Sequence, residues 1–236
     1  MTRDRGPLEL LSKGKIELKG RIPWSSNATF LVEVSAREAG QALAIYKPAK
    51  GERPLWDFPR GLWKREVAAY ELSRWTGWDI VPPTVGRGDG PLGPGSLQHW
   101  VDALEEEHYF SLLEAPQHRA ALKTVATFDV VANNADRKGG HCLLDEDGRV
   151  WAIDHGLCFH TEAKLRTVIW DFAGEEIDAG LLTALEPLAR GEVPESVACL
   201  LDAREVKALA GRAKTLLRRG HFPAPNARWP YPWPLI

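Results

Sequence analysis

Cysteine is scarce: the chain of 236 residues holds three, at positions 142, 158 and 199, with no C-x-x-C pair. An odd, unpaired set argues against a disulfide framework and against a structural zinc cage, and fits a reducing, cytoplasmic setting. No apolar run approaches the roughly 18 residues that a membrane-spanning helix needs. Residues 1–14 carry charge at both ends without a sustained apolar stretch, so no secretory signal is expected. Excess charge is lacking too. A net charge of −2 and a pI near 6.4 leave no global basic field, which argues against nucleic acid as a partner. No internal repeat is visible.

What is there is 44% hydrophobic residues, enough for one good core or two small ones. The ten tryptophans are read as core and packing residues. The first hundred positions are β-rich: residues 14–18, 29–34 and 42–46 alternate or run apolar, with a polar P-W-S-S-N loop at 23–27. The spacing of Leu62, Trp63, Val67, Tyr70, Leu72 and Trp75 predicts a helix over 62–76, stopped by Gly77. Strands are expected at 81–85 and 96–101. Helices are expected over 117–131, 177–188 and 197–217, with a hairpin of 142–144 and 150–153 across the turn D-E-D-G. The Pro/Trp-rich residues 222–236 read as irregular. This order predicts an α+β protein of two lobes, a small β-rich N-lobe over 1–101 and a mainly helical C-lobe over 102–236.

Chemistry concentrates in residues 128–160. A polar loop, Asn133 to His141, holds an acid, a base, amides and two glycines between a helix and the hairpin, and the hairpin's second strand ends at Asp154. If the hairpin forms, Asp136 and Asp154 lie at the same end of it. Phosphoryl transfer asks for such a set: one carboxylate to position the attacking hydroxyl, another with a second ligand to hold magnesium against nucleotide phosphates, and a cation to grip those phosphates. Lys47, ending an apolar strand, is the candidate cation, and Glu66 on the following helix can hold it in place.

The segment D-V-V-A-N-N-A-D-R-K-G-G-H, followed by A-I-D-H-G-L-C-F, resembles the phosphatidylinositol 3-/4-kinase-like superfamily, and most closely the type II phosphatidylinositol 4-kinases and their short bacterial relatives. I-Y-K-P-A-K-G-E-R-P resembles that family's lysine strand, and G-S-L-Q-H-W-V-D its strand into the adenine-binding hinge; together the matches cover residues 20–160. The resemblance implies a two-lobed protein-kinase-like fold that binds ATP with Mg2+, or Mn2+, and transfers the γ-phosphate to a hydroxyl on a protein, lipid headgroup or small molecule. It implies that Lys47 contacts the α/β-phosphates and that Glu66 orients Lys47. Ser25, Ser26 and Asn27 would form the phosphate-covering loop, and Gln98, His99, Trp100 and Val101 would line the adenine pocket. Asp136 would be the catalytic-loop acid, Arg137 would steady that loop or the phosphates, and Asp154 would be the main metal ligand.

One position departs from the family pattern. The second metal ligand there is asparagine, whereas this chain has His141, and imidazole nitrogen matches hard magnesium less well than an amide oxygen. That substitution points to weaker activity, to manganese, or to a shift of the second ligand to Asn134. It also motivates two alternatives, a nucleotide-binding pseudokinase with a regulatory role and adenylyl transfer on the same fold. Read singly, the same residues are ordinary: Asp136-Arg137 as a surface ion pair, Ser25 to Asn27 as turn formers, and Cys142 and Cys158 as small buried hydrophobes.

Overall fold

In the computed structural model, residues 5–23, 25, 27–37, 39–225 and 229–236 are described. Helix α1 (Arg5–Lys13) precedes three strands, β1 (Lys15–Arg21), β2 (Phe30–Ala36) and β3 (Gly40–Pro48). Helix α2 (Leu62–Trp75) and strands β4 (Thr84–Arg87) and β5 (Gly95–His99) follow. The five strands make one antiparallel sheet in the order β1-β2-β3-β5-β4. Its inward side chains Val32, Val34, Ala44, Tyr46 and Leu97 pack with Leu10 and Leu11 of α1 into a small core. The remaining elements are mainly helical: α3 (Tyr109–Glu114), α4 (Arg119–Ala132), the hairpin β6 (Cys142–Leu144) and β7 (Val150–Ala152), α5 (Ala179–Ala189), α6 (Glu195–Ala198) and α7 (Ala203–Arg219). They enclose a larger core around Phe128, Phe159, Phe172, Leu185 and Leu209. The result is the two-lobed α+β arrangement expected from the order of elements.

Several boundaries differ from the sequence reading, each for a local reason. The strand expected at 81–85 begins at Thr84, because Pro82 and Pro83 cannot donate to a ladder. The helix expected over 197–217 is two helices. Asp202 accepts from the N–H groups of Arg204 and Glu205 while Glu205 accepts from Asp202 N–H, a reciprocal cap that starts α7 afresh. Helices α1 and α3 were not foreseen. The first has a short apolar stripe that only the sheet completes, and the second is a six-residue turn capped by His108.

Helix α2 lies between the lobes. By chain order it belongs with the sheet, yet Ala68, Ala69, Tyr70 and Leu72 are buried in the larger core. Arg65, one turn before Ala68 and Ala69 on the same face, forms a buried ion pair with Glu205 of α7. A third cluster of Phe58, Leu62 and Ala135, backed by Leu157, seals α2 to the loop after α4.

Candidate active site

Strand β3 carries Lys47 at its last position but one, and the lysine's ammonium group reaches two carboxylates. It is paired with Glu66 of α2 and donates to Asp154 Oδ1 at 2.8 Å. Glu66 is almost fully buried and its second oxygen accepts the backbone N–H of His155 at 2.9 Å. One carboxylate therefore ties together the β3 lysine and the turn that carries Asp154. Burial opposes charge on Lys47, but Asp154 and Glu66 outweigh it, so its pKa is raised and it stays an ammonium ion. For Glu66 burial is the larger influence and pushes its pKa up against the pull of Lys47.

Asp154 follows β7 in the left-handed region, with φ of 59°. Aspartate tolerates that conformation better than most residues, at a cost that tends to collect in functional sites. Its side chain keeps 47% of its surface open. Burial pushes its pKa up, but Lys47 and then His141 hold it well below the ordinary carboxylate range. The half-open surface means solvent screens part of that field.

The loop after α4 hangs on a buried framework. Asn133 caps the helix in the left-handed region with φ of 56°. Arg137, with no exposed surface, makes a two-pronged ion pair to Asp129 at 2.9 and 3.0 Å. It also donates to the carbonyls of His141 at 3.2 Å and Ile153 at 2.6 Å, and to His155 Nε2 at 2.8 Å. Asn134 donates to Asp129 Oδ1 and accepts from Asp136 N–H at 3.0 Å. The guanidinium thus binds the end of α4, the loop and the hairpin into one body. Sequence reasoning missed Asp129, Asn134 and His155 as members of this framework. For Asp129 and Asn134 the signal was the string D-x-x-x-x-N-x-D-R itself, whose first two polar positions precede the candidate acid; His155 lies outside that string.

That framework leaves the Asp136 carboxylate half-buried, with Lys138 Nζ 3.5 Å from its Oδ2. Burial raises the Asp136 pKa to about 6 against the pull of Lys138, and the neighbouring charge of Asp154 adds to the rise. Burial likewise lowers the His141 pKa to about 4, so at neutral pH the imidazole is uncharged. Its Nε2 is 3.4 Å from Asp154 Oδ2, while Nδ1 accepts the N–H of Lys138 at 3.3 Å. The proton of neutral His141 is thereby directed to Nε2, toward Asp154. Asn134 is unsuited to be a replacement metal ligand, because both ends of its amide are engaged inside the loop.

The hinge positions divide. Gln98 is buried and donates to Thr84 Oγ1. The N–H groups of His99 and Trp100 are taken by the carbonyls of Pro83 and Leu43, and the Trp100 indole donates to Asp102. Among the described residues the N–H of Val101 has no partner. In the β1–β2 loop, Ser25 bonds Thr29 and Asn27 accepts from Arg53 N–H, so both side chains brace the loop; Ser26 lies outside the described residues.

The donor set suits a hard cation shared with phosphate. Among the described residues no three His, Cys, Asp or Glu side chains gather to hold a metal ion unaided. Half-open Asp154 supplies one anionic oxygen face, which leaves phosphate oxygens and water to complete a shell, as magnesium prefers. Cys142 and Cys158 are buried and burial raises both thiol pKa values, so they behave as small hydrophobes; Cys199 is exposed, and none forms a disulfide. No helix of the described residues is long and apolar enough to cross a membrane.

No protein-family model matches the chain. Its fold is that of kinases. It is similar to hydra Fam20 solved with sugar, with a TM-score of 0.60 and 15% identity over 90% of this chain and 87% of that one. It is similar to the Golgi casein kinase with Mn/ADP bound, at 0.54 and 13% over 90% and 74%. It is also similar to the Helicobacter pylori proinflammatory kinase CtkA, at 0.53 and 10% over 90% and 94%. In sequence it is 42% identical to Protein Rv2133c of Mycobacterium tuberculosis, across 95% of this chain and 94% of that protein. The chain belongs to the same family as Protein Rv2133c.

Proposed function

We propose that the protein is an ATP-dependent phosphotransferase that uses a divalent metal to move the γ-phosphate to a hydroxyl acceptor. The observation that carries this reading is the convergence of Lys47, Glu66 and Asp154, drawn from β3, α2 and the end of β7, on one ammonium group. Lys47 grips the nucleotide phosphates, and Glu66 holds it there. The N–H of Val101 reads the adenine edge, with Gln98, His99 and Trp100 supporting the hinge. Backbone groups of Ser25 and Asn27 in the β1–β2 connection cover the phosphates. Asp154 holds Mg2+ or Mn2+, which neutralises charge developing on the phosphates. Asp136 accepts the acceptor hydroxyl's proton as the oxygen attacks, and its raised pKa makes it a better base than an ordinary aspartate. Arg137 is a positioning residue, since its buried guanidinium is wholly engaged within the loop.

The lobe boundary at residues 101/102, with the adenine site at that junction, is part of the same proposal. So is the finer kinship to phosphatidylinositol 3-/4-kinase-like proteins, which rests on the D-R loop, the I-D-H-G turn and the lysine strand. Calorimetric titration with ATP and Mg2+ or Mn2+, together with metal-dependent ATP turnover, tests the reading. Asp154→Ala and Asp136→Ala should each abolish turnover; full turnover in the Asp154→Ala protein sinks it.

His141 supports a second reading, nucleotide binding without transfer. Its Nε2 carries the proton in the observed hydrogen-bond pattern, so binding a metal through that atom requires a tautomer change and loss of the Lys138 bond. ATP-dependent thermal stabilisation with no γ-phosphate transferred, unchanged in His141→Asn, favours it. Transfer of a nucleotidyl group instead of a phosphate would appear as a different mass on the product.

A further inference from the structure

Away from the Lys47 cluster, the connection from β3 into α2 encloses a cavity of about 510 Å³ lined wholly by residues between Ala49 and Lys64. That volume falls within the roughly 300–1,000 Å³ of small-molecule sites. Four of the lining residues are cations, Lys50, Arg53, Arg60 and Lys64, and one, Glu52, is an acid. All four cations are exposed, and among the described residues none has an ion-pair partner. Glu52 does not balance them. Its two oxygens accept the N–H groups of Gly61 and Trp63, each at 2.8 Å, at the start of α2.

Glu52 is thereby committed to the start of α2, whose first turn has no acidic residue of its own. The positive field of the cavity is that of the four side chains. Clustered like charges in a concave site repel one another and concentrate counter-ions. The arginines further suit phosphate, whose oxygens match the guanidinium fork.

We propose that this cavity binds a phosphate-rich anion, distinct from the nucleotide held by Lys47. The site touches the catalytic frame at two points. Arg53 N–H donates to Asn27 Oδ1 in the β1–β2 turn, and the first turn of α2 leads directly to Glu66. Anion binding therefore steadies the loop and the helix that flank Lys47.

Titration of sodium tripolyphosphate into the full chain tests the proposal, with phosphatidylcholine vesicles carrying phosphatidate as a second probe. The double variant Arg53→Gln, Arg60→Gln alters exposed side chains outside the catalytic set, and it should melt as the wild type does. It should bind tripolyphosphate at least tenfold more weakly, with a shallower dependence on salt, while keeping wild-type affinity for a non-hydrolysable ATP analogue. Uptake of free tripolyphosphate assigns the site to a soluble ligand; retention by phosphatidate vesicles without tripolyphosphate binding assigns it to a lipid headgroup. Wild-type binding of both probes by the double variant, or no binding of either probe by the wild type, overturns the proposal. Nucleotide affinity is read in the same samples, so failure of the nucleotide reading would be seen separately.

Discussion

Lys47 and Glu66 illustrate how much one buried pair can govern. Glu66 is nearly inaccessible to water, and its charge is tolerated because an ammonium ion and the His155 N–H face it. Removing one member of such a pair typically costs about 3–5 kcal/mol, while replacing both can be nearly neutral. Lys47→Met should thus lower stability by roughly that amount in urea unfolding, and Lys47→Met with Glu66→Gln should recover much of it. Both proteins should be inactive, which separates stability from catalysis. Asp136 behaves in the opposite sense. Its folded pKa of about 6 lies above the ordinary 3.8, so the folded state holds the proton more tightly than the unfolded state between those values. Stability from this group is gained as pH falls from about 6 and is lost as pH rises. Asp136→Asn should therefore raise the melting temperature more at pH 7.5 than at pH 5. Turnover should climb with pH through about 6 in the wild type and fall about 10²–10⁴-fold in the variant. A melting temperature that drops at both pH values would contradict the burial argument.

At the scale of elements, the loop after α4 owes its shape to Arg137, and this was only partly legible in the sequence. The motif showed that Asp136 and Asp154 belong together, because a hairpin of that length returns the chain to its starting end. It did not show that Arg137 faces inward, because an Asp-Arg pair in a polar loop looks the same as a solvated ion pair. Burial is a tertiary property, set here by Asp129 one helical turn before the loop and by His155 in the turn after β7. Helix limits failed for similar reasons. The start of α7 is marked by the cap at Asp202, whose partner Glu205 stands three residues on, a signal present in the sequence beneath a longer apolar period. Helix α1 has too few turns to announce itself and is stabilised by burial of Leu10 and Leu11 against the sheet. Arg137→Lys keeps the charge but loses the fork to Asp129 and cannot reach all its carbonyl and imidazole partners at once. We expect a loss of about 2 kcal/mol or more, from buried acceptors left without donors. kcat should fall while nucleotide affinity stays near wild type. An equal fall in nucleotide affinity would place Arg137 at the phosphates instead.

Across the whole molecule, α2 is the part on which both lobes depend. It contributes Glu66 to the Lys47 cluster, four side chains to the larger core, and Arg65 to the pair with Glu205. A helix held in this way cannot swing with the sheet, so the Lys47–Glu66 contact is set by the C-terminal half of the chain as much as by β3. The Arg65–Glu205 pair is the accessible place to test that. Both residues are buried, and among the described residues Arg65 Nε has no partner, so the pair is imperfectly satisfied and sensitive to loss of either charge. Glu205→Gln preserves the cap at Asp202, because glutamine also serves at that position, and removes only the charge facing Arg65. It should destabilise the protein by about 3–5 kcal/mol, with both lobes still melting in one calorimetric transition. Arg65→Met combined with Glu205→Leu should recover most of that stability. If α2 positions Glu66 from the C-terminal side, Glu205→Gln should also lower kcat without changing metal dependence. Two separate melting transitions, or unchanged kcat at full destabilisation, would show that the lobes are held independently and that Glu66 takes its position from β3 alone.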